Sequence, residues 1–428
     1  MRFLLPELID RVIDHLHSDK DVLTASSLVC REWLPRSRFH LFRSMQLKLP
    51  LFRPEREVFL FTISLARVRP YVRELVLSSR ADVAEADIQA VLLEILVKNF
   101  PSVHTMTFHR VRLVTDIERM DAVCNRPPLG SLRKLVISGL FVTWQDLRYF
   151  FALLKVTESL QILDIELAPF CDPPPEKPRH LEMKSLTVER CAACTPWDIA
   201  NWVLNGSSCL ESLDLRLLSP LAHPEEHDSI QSVLDDYGTH LLHLRLDYEP
   251  IMNRTARYSS MYSVQAWPAF DLTVCAALQT LHLRLTDHVF IQEHLHLERW
   301  RFVIILIASL PRSIRKVILG FPEPLDCLLV RKVIWLELAD ALSKLPNLEL
   351  VVFQLECERL GDNRSIAKST AEAARFMPEP YFEPFFLERL PPQVRLVIKS
   401  EESDEGMFIV SGTQTNDGST VGGKDDPP

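Results

Sequence analysis

Apolar residues near the start of the chain fall at helical spacing. Leu5, Leu8, Ile9, Val12, Ile13 and Leu16 occupy i, i+3, i+4, i+7, i+8 and i+11, one face of a helix with 3.6 residues per turn. Pro6 suits the first turn, where its missing N–H leaves nothing unsatisfied. The polar break His17-Ser18-Asp19-Lys20 ends that helix, and a second apolar set (Val22, Leu23, Ala25, Leu28, Val29, Cys30, Trp33) predicts one or two more short helices before Pro35. Three helices in about forty residues bury too little surface to be stable alone, so they are expected to pack on the rest of the chain or on a partner.

From Val72 onward the period changes to apolar residues at i, i+3 and i+5. The unit occurs at Val72-Leu75-Leu77, Val103-Met106-Phe108, Leu132-Leu135-Ile137, Leu160-Leu163-Ile165 and Met183-Leu186-Val188. It continues at Leu210-Leu213-Leu215, Leu241-Leu244-Leu246, Leu278-Leu281-Leu283, Ile314-Val317-Leu319 and Leu348-Val351-Phe353, with 23 to 37 residues between starts. Ten matches at irregular spacing indicate a degenerate leucine-rich repeat. Each unit predicts a short strand, followed in several by a helical period: Asp87 to Phe100, Trp144 to Val156, Pro224 to Tyr237 and Arg331 to Leu345. Strand and helix stacked repeatedly give a curved solenoid; an ordinary α/β domain with parallel strands uses the same local pattern. Breaks at Asp172 to Pro175 and Pro250 to Pro268 read as surface loops. The residues from about Ser400 combine acids with Gly, Ser and Thr and read as disordered.

Charge changes the picture little. The net charge of -9 over 428 residues is concentrated in the last 29, where seven acids face one lysine; the body carries only -3. Neither part has the basic patch that neutralising nucleic-acid phosphates requires, so no nucleic-acid partner is expected. Nine scattered cysteines in a chain long enough to bury a core read as reduced thiols, which points to cytoplasm or nucleus. No signal peptide is read at the N-terminus, and the longest apolar stretch, Phe302 to Leu310, is far short of the ~20 residues that span a bilayer. No membrane association is expected.

Motifs for catalysis are weak. His223-Pro224-Glu225-Glu226-His227 fits the H-x-x-E-H pattern of inverted zinc peptidases, which needs both histidines on one helical face. Pro224 as the first helical residue would leave His223 outside, which argues against a site. Cys191 and Cys194 have no second Cys-x-x-Cys to complete a tetrahedron, and Cys191 falls eight residues after Met183, where leucine-rich repeats favour Asn or Cys. Gly418 to Lys424 matches a P-loop only up to Asp425, which stands where Ser or Thr belongs. No catalytic residue, metal or cofactor is expected, and the chain is read as a non-enzyme.

The informative positions lie between the inward apolar ones, because strand alternation turns i+4 and i+6 of each unit to the opposite, concave face. Neutral pairs there include Val76/Ser78, Thr107/His109, Val136/Ser138, Ile318/Gly320 and Val352/Gln354. The charged and polar residues are Asp164, Glu166, Glu189, Asp214, Arg216, Arg245, Asp247, His282 and Arg284. Solenoids bind partners along such faces, so these nine are the candidate substrate-binding residues.

The run Leu4-Leu5-Pro6-Glu7-Leu8-Ile9-Asp10-Arg11-Val12-Ile13-Asp14-His15-Leu16, continued by Ser26-Ser27-Leu28-Val29-Cys30-Arg31-Glu32-Trp33 to Arg38, resembles the F-box. Tyr71 to Leu75 and Leu132 to Leu135 look like the fungal F-box proteins with diverged leucine-rich repeats. That group usually has Leu-Pro-Pro-Glu-Leu, and Leu5 stands where its first proline would be. The resemblance implies an α/β chain: a small N-terminal helical F-box at 4–44, a helical linker at 45–71, a leucine-rich-repeat-like solenoid at 72–399 and an acidic tail at 400–428. It further implies that Leu5, Pro6, Leu8, Ile9, Ile13, Leu16, Val29 and Trp33 dock a Skp-class adaptor, which ties a substrate receptor to the cullin scaffold of a ubiquitin ligase. The expected function is protein-substrate recognition within such a ligase; the alternative is an interaction scaffold with no ligase role.

Overall fold

The computed structural model describes residues 6–49, 66–79, 86–114, 128, 130–139, 141–167, 181–192, 196–204, 209–218, 225–248, 271–285, 293–321, 332–355, 389–400 and 408–411. The expected loops at 172–175 and 250–268 lie outside them.

Three helices open the chain: α1 (Pro6–His15), α2 (Lys20–Val29) and α3 (Leu34–Phe42). The polar break becomes a cap, because the Asp19 carboxylate accepts from the backbone N–H of Asp21 at 3.1 Å and of Val22 at 3.0 Å, orphan donors of the first turn of α2. Pro35 sits in the first turn of α3, where its fixed φ suits a helix start. Ile9, Ile13 and Leu23 form the buried centre, with Leu16, Trp33 and Leu41 packed against it.

The chain then divides into two compact units, 1–247 and 248–428. In the first, β1 (Ser44–Leu49) pairs in parallel with β2 (Glu74–Ser79), Met45 opposite Leu75 and Leu47 opposite Leu77. The linker expected to be helical from 45 therefore begins as a strand. Met45, Leu47 and Leu49 alternate with polar residues, the period of a half-buried strand; Leu49 is buried.

There follow β3 (Ala86–Gln89), α4 (Ala90–Asn99), β4 (Thr105–His109), β5 (Val111–Val114), β6 (Gly130–Ser138) and β7 (Phe141–Val142). Next come α5 (Trp144–Leu153), β8 (Leu154–Leu167), β9 (Ser185–Ala192), α6 (Pro196–Leu204), β10 (Ser212–Leu218), α7 (Glu225–Tyr237) and β11 (His243–Tyr248). The helix expected from Asp87 yields its first residues to β3, and the one expected to reach Val156 stops at Leu153. Thr143 sets the start of α5 through a capping box with Asp146. Hydrogen-bonded strands run in the order β1-β2-β4-β6-β8-β9-β10-β11, and β3 pairs with β5 apart from them.

Register sets the apolar positions of neighbouring parallel strands side by side. Leu75, Met106, Leu135, Leu160, Leu186 and Leu213 are successive cross-strand partners, as are Leu77, Phe108, Ile137, Ile162, Val188 and Leu215. All twelve are buried, two continuous apolar rows, each full burial stabilising by about 1.5–3 kcal/mol. The unit read as Leu160-Leu163-Ile165 is thus out of step by three: Leu160 and Ile162 hold its second and third positions. Spacing alone could not decide, because Leu160, Ile162, Leu163 and Ile165 are all apolar.

Asp164 takes up the difference with a left-handed φ of 51°; Arg110 (54°) and Gly139 (64°) do the same just after His109 and Ser138. His109, Ser138 and Leu163 are cross-strand partners, so three consecutive units turn at one level. The N–H of Arg110 donates to Ser138 O and that of Gly139 to Leu163 O. A side chain at Gly139 would be strained by its φ and would press on Arg110.

A second device repeats at the strand starts. The carbonyl of Arg43 accepts from the N–H groups of Arg73 and Glu74, that of Arg73 from His104 and Thr105, that of His104 from Arg133 and Lys134, that of Lys184 from Glu211 and Ser212, and that of Glu211 from Leu242 and His243. One acceptor per unit fixes where the next strand begins.

The second unit contains β12 (Thr280–Leu285), α8 (Glu293–Ala308), β13 (Lys316–Phe321), α9 (Lys332–Ser343), β14 (Leu350–Leu355), β15 (Arg395–Ser400) and β16 (Phe408–Ser411). β12 to β15 pair in parallel and β16 closes against β15 antiparallel. The inward rows are Leu281-Val317-Val351-Leu396 and Leu283-Leu319-Phe353. β16 falls within the tail expected to be structureless, where the run Phe408-Ile409-Val410 has high strand propensity. The architecture is mixed α/β with parallel strands, as the pattern predicts. Among the described residues, no helix is long and apolar enough to cross a membrane.

Candidate functional site

The N-terminal helices use their apolar residues in two ways. Of the eight expected adaptor contacts, Leu5 lies outside the described residues and Pro6 opens α1. Ile9 and Ile13 are buried, and Leu16 and Trp33 are half-buried against them. These four hold the module together. Leu8 and Val29 are exposed, and the structure adds Val12, Val22 and Leu28, the last 81% exposed. Leu8 and Val12 are one turn apart on α1, while Val22, Ala25 and Val29 share a face of α2. The wide apolar arc of α1 concealed this division: Ile9, Ile13 and Leu16 turn inward, leaving the neighbouring stripe outside.

A charged cluster holds α1 to α3. The Asp14 carboxylate accepts from Arg36 Nε at 2.5 Å on Oδ1 and from Arg36 Nη2 at 2.7 Å on Oδ2. His40 Nε2 donates to Oδ1 at 2.7 Å. The hydrogen bonds from Arg36 are the largest reason that the Asp14 carboxyl is held down at about 2. Sequence reasoning missed this group; its signal is Arg36 and His40 at i, i+4 on α3, facing an acid at the end of α1.

The strand faces supply the second candidate surface. Register displaces two of the nine expected residues. Thr187 and Glu189 lie opposite Gln161 and Leu163, so Gln161 and Leu163 occupy the row. Asp164 lies past that position, exposed, and Glu166 pairs with Ala192 further along β8.

Glu189, Asp214, Arg216, Arg245 and Asp247 do come together, across β9, β10 and β11. Arg216 donates from Nη1 to Glu189 Oε2 at 2.8 Å and from Nη2 to Asp214 Oδ2 at 2.8 Å. Arg245 donates from Nε and Nη2 to the two oxygens of Asp247, each at 3.0 Å, and its Nε stands 3.7 Å from Asp214 Oδ1. Asp247 is wholly buried in side chain. Burial works against the charge on Arg216, but hydrogen bonding to Asp214 and the charges of Asp214, Glu189 and Asp247 outweigh it and raise its pKa. Arg245 follows the same pattern with Asp247 as chief partner. Three carboxylates and two guanidiniums thus hold one another across three neighbouring strands.

His282 and Arg284 belong to the second unit, on β12 opposite Ile318 and Gly320. His282 is buried, as are Ile318, Val352 and Gln354 on neighbouring strands. The expected solvated face is therefore corrected there: these side chains are covered, and Ile318 and Val352 are apolar.

Of the catalytic motifs, His223 and Cys194 lie outside the described residues, and α7 begins only at Glu225. Among the described residues, no group of three His, Cys, Asp or Glu is placed to hold a metal ion. No protein-family model matches the chain, and no curated protein matches it.

Proposed function

We propose that the chain is the substrate receptor of a cullin-type ubiquitin ligase, with α1 to α3 an F-box that docks a Skp-class adaptor and the strand units a leucine-rich-repeat-like solenoid that recognises a protein substrate. The observation that carries this reading is the helical module itself. Among the described residues its centre is Ile9, Ile13 and Leu23, yet Leu8, Val12, Val22, Leu28 and Val29 stay exposed on it. A module so small gains most by burying such side chains against another protein. The substrate is met through positioned side chains, and ubiquitin transfer belongs to other subunits. Such a receptor works in cytoplasm or nucleus.

Capture of a purified Skp-class adaptor tests the reading. Leu8→Asp and Leu28→Asp each place a charge where an apolar contact is expected and should abolish capture while leaving the fold intact. Ile13→Asp is a poor probe, because Ile13 is fully buried and the change would unfold the module instead. Wild-type chain that captures no adaptor overturns the ligase reading and leaves a repeat scaffold.

A further inference from the structure

The three-helix module has a small core for the work of fixing α1. On α1 that core uses Ile9, Ile13 and Leu16, which resist rotation only by packing. Asp14 adds a directional contact. Arg36 and His40 lie one turn apart on α3, and both reach the same carboxylate, Arg36 through two parallel hydrogen bonds. A planar guanidinium meeting both carboxylate oxygens sets angle as well as distance. At 3.6 residues per turn, Val12 and Leu8 stand about 160° and 120° around the helix from Asp14. Holding Asp14 against α3 therefore turns these two apolar side chains away from it.

We infer that Asp14, clasped by Arg36 and His40, is a positioning residue for partner docking: it fixes the rotation of α1 and so presents Leu8 and Val12 to the partner without touching it. This rests on the adaptor-docking reading for the identity of the partner. The held geometry does not. Arg36 also stacks over the Phe39 ring at 5.1 Å, which steadies the guanidinium from its own helix. His17 donates from Nδ1 to the carbonyl of Asp14 at 2.8 Å, so the backbone at this point is held too. Asp10 acts on Arg36 only through its charge and provides the natural control.

The test uses the full chain with two readouts, adaptor affinity and hydrogen exchange of the backbone over 6–15. Asp14→Asn should weaken adaptor binding at least tenfold and speed exchange in α1, with β4 as well protected as before. Asp14→Glu, which keeps the carboxylate, should recover most of both, and Asp10→Asn should change neither. Should Asp14→Asn lose protection throughout the first unit, His40→Gln carries the same comparison, with about a threefold effect expected in both readouts. Binding within twofold of wild type, or unchanged exchange over 6–15, overturns the inference. Wild-type chain that binds no adaptor overturns the adaptor reading instead, and exchange then decides the positioning of α1 alone.

Discussion

The two units lay the same backbone pattern under different surfaces. In the first, the face opposite the inward rows carries Glu189, Asp214, Arg216, Arg245 and Asp247, two hydrogen-bonded groups joined by the ion pair of Arg245 with Asp214. In the second, the equivalent positions hold Ile318 and Val352 beside His282 and Gln354, all four buried. Alternation along a strand fixes which way a side chain points, and only composition and cover decide whether that side is wet. The charged network of the first unit is half-buried to buried, and the corresponding face of the second is covered as well, with Ile318 and Val352 in place of charges.

Removing one buried partner should separate them most. Asp247→Ala leaves Arg245 with the longer contact to Asp214 and should cost about 3–5 kcal/mol, read by urea unfolding with exchange followed in the first unit. A loss under about 1 kcal/mol would mean that water reaches Arg245. Equivalent truncations sharpen the contrast further. Ile318→Ala should cost about 2–4 kcal/mol, whereas Val136→Ala, at the matching but half-buried position of the first unit, should cost about 1 kcal/mol or less. Equal losses would erase the distinction between the two faces.

Acid should act on the charged region and bypass the apolar pair. Asp14 has a folded pKa of about 2 against an ordinary 3.8, so its contribution is complete above about 4 and is lost as pH falls toward about 2. More than a third of its side chain is exposed, and solvent screening limits that contribution to about 1 kcal/mol. Carboxyl titration by NMR and the acid limb of a melting series, wild type against Asp14→Asn, should agree in that window. The smallest effect concerns His104, whose pKa is lowered by burial and by the neighbouring charges of Arg133 and Arg73. Its unfolded form takes up the proton first, so stability should be full above the ordinary 6.5 and decline below it. His104→Gln should flatten that slope.

Much of the fold was legible because apolar spacing and register agree in most units. Where they parted, a physical reason stands behind each case. Four apolar residues between Leu160 and Ile165 fit two registers, and the left-handed turn at Asp164 that chooses between them leaves no apolar mark. β1 lay in a segment whose flanking helix suggested more helix. β15 has Gln393 where the motif asks for an apolar residue, and Val394 is buried instead. The site was harder to read. An apolar residue on a small helix serves equally as core or contact, so Ile13 and Leu8 look alike in sequence. The clasp at Asp14 joins residues more than twenty positions apart, beyond any local period.

Among the described residues, seven carbonyls ahead of strands, those of Arg43, Arg73, His104, Lys184, Glu211, Gln279 and Arg315, offer the same two hydrogen bonds to the strand that comes next. Those units thus carry the same plug and the same socket, and this bond pattern alone does not specify which of them follows which. A chain made this way can gain or lose an entire unit without rewiring those on either side. Such a protein can be lengthened by duplication of one of these parts without disturbing the bonds that join the rest.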